Sequence, residues 1–266
     1  MSNPDVEEND IPEMDLSGGV RGKYYERYVH GTNSVSLKTD VDEVLAWLKR
    51  NGTKANRDGL ARYGLPSEKA FGVPVGVLQK EAKRLGRDHE LAAALWESGG
   101  FEARMLAAFV EEPALVTPAQ MDRWARDFDS WGICDTACMH LFDRTPHAWA
   151  KVSLWAGRRG ELVKRAAFAL LATLALHDKH GPDAPFLDGL RLIEREATDD
   201  RNFVRKAVNW ALRSIGERNA ALHAAASAVA ERLAASPEAA PRWVGKDALR
   251  KLSSPAVLKR LEKKSR

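Results

Sequence analysis

From Val41 onward, apolar residues return at intervals of three and four, as in Val44, Leu45, Trp47 and Leu48, and again from Leu162 through Ala166, Ala169 and Leu170 to Thr173. That spacing predicts amphipathic helices. No segment alternates apolar and polar residues as a half-buried strand does. Breaks fall at Gly64 to Pro66, Gly72 to Pro74, Gly99 to Gly100, Pro113 to Pro118, Thr145 to Pro146, Gly157 to Gly160, Gly181 to Pro185, Asp199 to Asp200, Gly216, Pro237 to Pro241 and Ser253 to Pro255. The pieces between them are each about one helix long, which gives about a dozen helices in succession. Thr117 before Pro118, Thr145 before Pro146 and Ser254 before Pro255 are expected to be helix N-caps, each placing a hydroxyl where free backbone amides point.

A long succession of short helices buries its apolar stripes most simply by stacking as antiparallel pairs, which is the solenoid solution. The repeat is divergent, because no sequence period is regular. An irregular helical bundle is the alternative.

Residues 1–40 read differently: Pro4, Pro12, Gly18, Gly19, Gly22 and Gly31 lie among polar residues, as in a weakly structured extension preceding a domain over 41–266. Within it, Ser17 to Tyr28 mixes Arg21, Lys23 and Arg27 with Tyr24, Tyr25 and Tyr28, types that contact phosphates and stack on bases but also dock on a domain surface.

Charge adds a hint about partners. The first fifteen residues hold six carboxylates and no Lys or Arg, so the net +4 of the whole chain becomes +10 without them. A basic body suits a polyanion, since cations that neutralise phosphates release condensed counterions, although it also suits simple solubility. Only two cysteines occur, Cys134 and Cys138, too few for a disulfide scaffold and spaced to share a helix face. They point to a reducing cytosol. The start of the chain lacks the basic and apolar regions of a secretory signal. The most apolar stretch, Ala166 to Leu176, is too short for a membrane span. A cytoplasmic protein is expected.

Three segments carry candidate chemistry. In Ser130 to His140, SWGICDTACMH, Trp131 and Asp135 sit one helical turn apart and project from one face. Glu161 to Leu171, ELVKRAAFALL, opens with Lys164 and Arg165. Asn202 to Ile215, NFVRKAVNWALRSI, brings Arg205, Lys206, Trp210 and Arg213. Taken singly, each Trp reads more simply as a core residue, Asp135 as a solvated or ion-paired side chain, and Arg165 as a partner for Glu161.

In this order the three segments resemble the AlkD family of DNA alkylation repair proteins, and the likeness extends more weakly over most of Val41 to Leu261. The resemblance implies an all-α, right-handed HEAT-like solenoid of antiparallel helix pairs with a concave basic groove. It implies Trp131, Asp135 and Trp210 as catalytic residues. It also implies a phosphate-contacting role for Arg165, shared with or shifted to Lys164, Arg158 or Arg159, with Arg205, Lys206 and Arg213 as further contacts to the DNA backbone. The implied activity is hydrolysis of the N-glycosidic bond of N3- or N7-alkylated purines in duplex DNA, without deep base flipping.

The chemistry is consistent with these residue types. An alkylated purine is already cationic and leaves readily, while the sugar passes through an oxocarbenium-like state, so stabilising positive charge matters more than general acid catalysis. Indole faces contribute about 0.5 to 2 kcal/mol each by cation–π attraction. An ionised Asp135 would stabilise the sugar cation and orient the attacking water. No cofactor is needed beyond water, and no metal is expected, because Cys134, Cys138 and His140, or His177 and His180, lack a second cluster at ligand spacing. A monomer without an obligate protein partner is expected. The alternatives are a non-catalytic HEAT-like binder of damaged or branched DNA, and a helical scaffold for another protein.

Among the remaining aromatics, Trp47, Trp96, Trp149, Trp155 and Trp243 are expected to stack between helices. Glu102 and Arg104 read either as part of the inner surface or as a half-exposed helix face. The basic end, Lys259, Arg260, Lys263, Lys264 and Arg266, either touches DNA or solubilises the terminus.

Overall fold

The computed structural model describes residues 40–264, and the acidic leader and the segment Ser17 to Tyr28 lie outside the described residues. Every regular element among the described residues is helical. In chain order they are α1 (Val41–Asn51), α2 (Lys54–Leu60), a 3-10 turn (Ala61–Tyr63), α3 (Val75–Leu85), α4 (His89–Glu97), α5 (Phe101–Val110), α6 (Pro118–Arg126) and α7 (Trp131–His140). A second 3-10 turn (Phe142–Arg144) follows. Then come α8 (Ala148–Ala156), α9 (Glu161–His177), α10 (Ala184–Glu196), α11 (Asn202–Gly216), α12 (Ala220–Ala234), α13 (Ala239–Leu252) and α14 (Pro255–Lys264).

The odd-numbered helices form one layer, in which α3 touches α5, α5 touches α7, α7 touches α9, α9 touches α11 and α11 touches α13. The even-numbered helices back it: α4 packs on α5, α8 on α9, α10 on α11 and α12 on α13, while α8 meets α10 and α10 meets α12. Short loops between consecutive helices make the pairs antiparallel. This is the stacked-pair solenoid that the pattern predicts, not an irregular bundle.

Helix α9 is the centre of the stack. Every residue from Arg165 to Ala175 is buried, which explains why Ala166 to Leu176 reads as the most apolar part of the sequence: helices enclose it on several sides. Cys134 and Cys138 lie together on the buried face of α7, where their thiols contact the carbonyls of Leu162 and Ala166 on α9, each at 3.6 Å. Trp96 and Trp124 stack in parallel with ring centroids 3.9 Å apart, tying α4 to α6.

Of the three expected N-caps one forms and two do not. Thr117 caps α6 by accepting from Gln120 N, while Ser130, for which no cap was expected, caps α7 by accepting from Ile133 N. Thr145 is no cap: helix α8 begins only at Ala148, and the buried Thr145 hydroxyl donates to the Phe142 carbonyl of the preceding 3-10 turn. Ser254 offers the start of α14 its backbone carbonyl, while its hydroxyl oxygen is buried with no partner. One break carried no expectation. Gly52 separates α1 from α2 because a Cβ there would lie 2.1 Å from the Phe71 carbonyl oxygen, and Thr53 then caps α2.

Trp96 and Trp155 are buried, and Trp47 and Trp149 pack partly against the core. Trp243 is different, standing 37% exposed on α13. No helix among the described residues is long and apolar enough to cross a membrane.

Candidate functional site

Trp131 is the first residue of α7, so Asp135 follows one turn later on the same face. The start of this helix presses closely on its neighbours: a Cβ on Gly132 would meet Leu65 Cδ2 at 3.0 Å and Phe101 Cζ at 3.3 Å. The Trp131 indole Nε1 donates to the carbonyl of Tyr63 at 2.9 Å, which fixes its plane. Tyr63 itself ends the first 3-10 turn with its side chain 68% exposed.

The loop between that turn and α3 is held from below. Glu102, on α5, is 2% exposed, and its carboxylate accepts from the backbone N–H groups of Phe71 (2.8 Å), Gly72 (2.7 Å) and Val73 (3.1 Å). A half-exposed helix face is therefore not its role. Gly72 has φ +86°, and a Cβ there would strike the Thr53 carbonyl at 2.2 Å, so the loop needs glycine at this point. Arg104 donates to the Asp127 carbonyl at 2.9 Å and lies over the Trp96 ring.

Asp135 meets Arg165 of α9 in a two-pronged salt bridge. Arg165 Nε donates to Oδ1 at 2.9 Å and Nη2 donates to Oδ2 at 2.7 Å. The third arm, Nη1, donates to the Phe203 carbonyl at the start of α11, at 2.8 Å. The guanidinium carbon lies 5.9 Å from the Trp131 ring centre and 6.0 Å from that of Phe203. Arg165 is thus a hub joining α7, α9 and α11, and only 6% of it is exposed. The Asp135 side chain keeps 21% exposure, so this carboxylate can still meet solvent or a ligand. Burial pushes the Asp135 carboxyl above its ordinary value, with Arg165 opposing the rise. Burial is also the largest influence on Arg165 and would lower it, but Asp135 outweighs that and holds the guanidinium above its ordinary value.

The expected pairing of Arg165 with Glu161 does not form. Glu161 instead accepts from Phe203 N at 3.2 Å, capping α11 from the neighbouring helix. Lys164 is also committed, with its ammonium 2.7 Å from Glu196 and 3.1 Å from Asp199. Asp199 is in turn gripped by both prongs of Arg201, whose Nη1 reaches the Arg159 carbonyl. Arg158 and Arg159 are exposed.

Helix α11 distributes its polar face in an ordered way. At about 100° per residue, Asn202, Lys206 and Arg213 share one side, flanked by Phe203 and Trp210 on one hand and by Arg205 and Asn209 on the other. The contacts orient these flanks. Phe203 meets Arg165 of α9, so the half-buried Trp210 lies on the flank facing α9. On the opposite flank, Asn209 donates to the Val244 carbonyl of α13 at 3.0 Å, and the Arg205 guanidinium carbon sits 4.6 Å from the Trp243 ring centre. Lys206 is exposed and Arg213 half-buried.

The structure therefore brings Trp131, Asp135 and Arg165 into direct contact, with Trp210 on the next helix of the same layer. Arg165 and Lys164 face carboxylates, whereas Arg205, Lys206 and Arg213 have no carboxylate partner among the described residues. At the basic end, Arg260 pairs with Glu217 and Lys264 donates to the carbonyls of Glu217 and Arg218, which fastens α14 to the end of α11. Among the described residues no group of three His, Cys, Asp or Glu side chains is placed to hold a metal ion.

Sequence reasoning missed the two carbonyls, of Tyr63 and Phe203, that position Trp131 and Arg165. Backbone acceptors carry no signature in residue type. It also missed Trp243, for which a signal existed: Trp243, Lys246 and Arg250 recur at helical spacing on the polar face of α13, opposite Val244 and Ala248.

A solved structure described as "a new family of proteins related to the HEAT-like repeat DNA glycosylases with affinity for branched DNA structures" superposes with a TM-score of 0.71 at 18% identity, covering 84% of this chain and 96% of that one. At that identity the likeness establishes the fold, a HEAT-like helical repeat. No curated protein matches the sequence. The model of the family described as "DNA alkylation repair enzyme" matches residues 44–252, which span the whole of α7, α9, α11 and α13, and the chain belongs to that family.

Proposed function

We propose that this protein is a DNA glycosylase that hydrolyses the N-glycosidic bond of cationic N3- or N7-alkylated purines in duplex DNA, without deep base flipping. The observation that carries this reading is Asp135: a partly exposed carboxylate, held in one orientation by a guanidinium that cannot lose its proton, one turn from an indole whose plane is also fixed. Geometry of this kind is prepared for a positive charge that develops during reaction.

In the proposed reaction the bond between the sugar C1′ and the purine nitrogen breaks, and its electron pair leaves with the base. The alkylpurine departs neutral because it began cationic. Asp135 faces the sugar cation, orients a water for attack on C1′ and takes up the proton that this water releases. Trp131 and Trp210 present electron-rich faces to the cationic base and sugar. Arg165 acts here as a positioning residue for Asp135. The phosphate contacts fall to Arg205, Lys206 and Arg213, whose charges have no carboxylate partner among the described residues, and such contacts fix register without reading sequence. Lys164 belongs to the ion-pair cluster that sets α9 against the start of α11. The chemistry is assigned to residues 41–266 acting as a monomer in the cytoplasm on nucleoid DNA, with residues 1–40 as a separate extension.

A second reading, a non-catalytic binder of branched DNA, is favoured by the affinity named for the structural relative. One experiment separates them. Single-turnover release of 7-methylguanine from an N7-methylated duplex is expected from the glycosylase. Tight binding of a four-way junction with no release above an enzyme-free control would support the second reading and overturn the first.

A further inference from the structure

Among the described residues, several cations around the starts of α9 and α11 are neutralised: Arg165 by Asp135, Lys164 by Glu196 and Asp199, and Arg201 by Asp199. Arg205 is not. It forms no ion pair, its Nε is buried without a hydrogen-bond partner, and its guanidinium lies on the Trp243 indole at 4.6 Å. An aromatic face steadies the plane of the guanidinium without cancelling its charge. Among the described residues the terminal nitrogens have no hydrogen-bond or ion-pair partner either, which leaves them available to a ligand.

The placement favours DNA. Arg205 and Trp243 come from α11 and α13, the next two members of the layer that supplies Trp131, Asp135 and Arg165. Arg205 flanks the polar side of α11 that carries Lys206 and Arg213. On α13, Lys246 is one turn beyond Trp243, exposed and, among the described residues, without a carboxylate partner. A row of cations on successive helices, one of them braced by an indole, suits the regular spacing of phosphates along a strand.

We propose that Arg205 and Trp243 form a phosphate site for the DNA backbone, Arg205 making the contact and Trp243 acting as its positioning residue, so that the bound strand extends from Asp135 across α11 onto α13. This rests on the reading of the protein as one that binds DNA, and it is tested by binding alone. Trp243 pre-sets the guanidinium, which reduces the ordering needed when the phosphate arrives. Base release is not required of this site.

The test measures affinity for an undamaged duplex across a salt series, using wild type, Arg205→Gln, Trp243→Leu, Trp243→Phe and the double variant Arg205→Gln/Trp243→Leu. One lost phosphate contact lowers the salt slope by about 0.9 and affinity by about fivefold to tenfold near 0.1 M salt. Arg205→Gln is expected to show that loss. Trp243→Leu is expected to show most of it, Trp243→Phe to restore part, and the double variant to lose no more than Arg205→Gln. A merely structural Trp243 would change the melting temperature and leave the slope alone. An unchanged slope in Arg205→Gln, or additive losses in the double variant, overturns the proposal. Wild type that binds with these slopes but releases no alkylpurine overturns the glycosylase reading and leaves this site standing.

Discussion

Arg165 reaches from α9 to hold both carboxylate oxygens of Asp135 on α7 while its third arm holds the carbonyl of Phe203 on α11. One side chain therefore sets the spacing of three helices and the direction of one carboxylate. Removing either partner strands a largely buried charge, so chemistry and stability are coupled at this pair.

Asp135→Asn keeps the shape of the side chain and removes its charge. Release of 7-methylguanine under single-turnover conditions is expected to fall at least about tenfold, with affinity for undamaged duplex largely retained, the pattern of lost transition-state stabilisation. Equal rates would remove Asp135 from the mechanism.

The two partners are expected to interact strongly in a double-mutant cycle. Asp135→Asn and Arg165→Gln should each cost about 2 to 4 kcal/mol in urea unfolding, and the double variant less than their sum by about 1 to 3 kcal/mol. Additive losses would show that the salt bridge contributes no coupling.

Base release should also report the environment of Asp135. Burial raises its pKa in the folded protein. The proposed mechanism needs the ionised form, so the rate, corrected for enzyme-free depurination, is expected to fall as pH drops through a midpoint above the ordinary 3.8 of Asp. A midpoint at or below that value would contradict the buried environment.

Asp199 titrates in the opposite sense. Hydrogen bonds from Arg201, joined by Lys164, outweigh burial and hold its carboxyl at about 2, below the ordinary 3.8. A depressed folded pKa contributes stability that is fully present above the unfolded value and is lost as pH falls through the folded one. Acid unfolding of wild type should therefore include a contribution from Asp199 between about pH 4 and pH 2. The Asp199→Asn variant should be less stable than wild type at pH 7, and the gap should close across that window.

Glu102 gives a stability test that also touches the site. In Glu102→Ala the amides of Phe71, Gly72 and Val73 lose their acceptor, at about 1 to 3 kcal/mol for each that stays buried and unpaired. A melting temperature lower by roughly 6 to 12 °C is expected, with a smaller drop for Glu102→Gln, which keeps one acceptor oxygen. Base release should fall as well, because that loop follows directly on the turn whose Tyr63 carbonyl fixes Trp131. Unchanged melting would deny the loop this anchor.

The helical layering was legible because periodicity reports which face is buried, and α9 announced its central place through its unbroken apolar run. The pairing of Trp131 with Asp135 was legible from a spacing of four. What spacing could not convey was the occupancy of each charge. Arg165 and Lys164 stand side by side at the start of α9, and only the fold shows that carboxylates 30 or more positions away engage both. Glu102 could be read equally as part of the inner surface or as a half-exposed residue, because the three amides it serves lie in a loop that no period describes. Thr145 and Ser254 misled for a local reason: a hydroxyl before proline offers a cap, but at Thr145 a 3-10 turn takes the hydroxyl as a donor.

The Trp131 indole is fastened to an oxygen that every amino acid possesses, the main-chain carbonyl at position 63. What projects from that position can therefore change over generations without loosening the indole, provided the turn keeps its shape. Among relatives, divergence at 63 beside an unchanging 131 would be no sign of a decayed enzyme. Loss of the short path between them, by insertion or deletion in 61–74, would be a far stronger one.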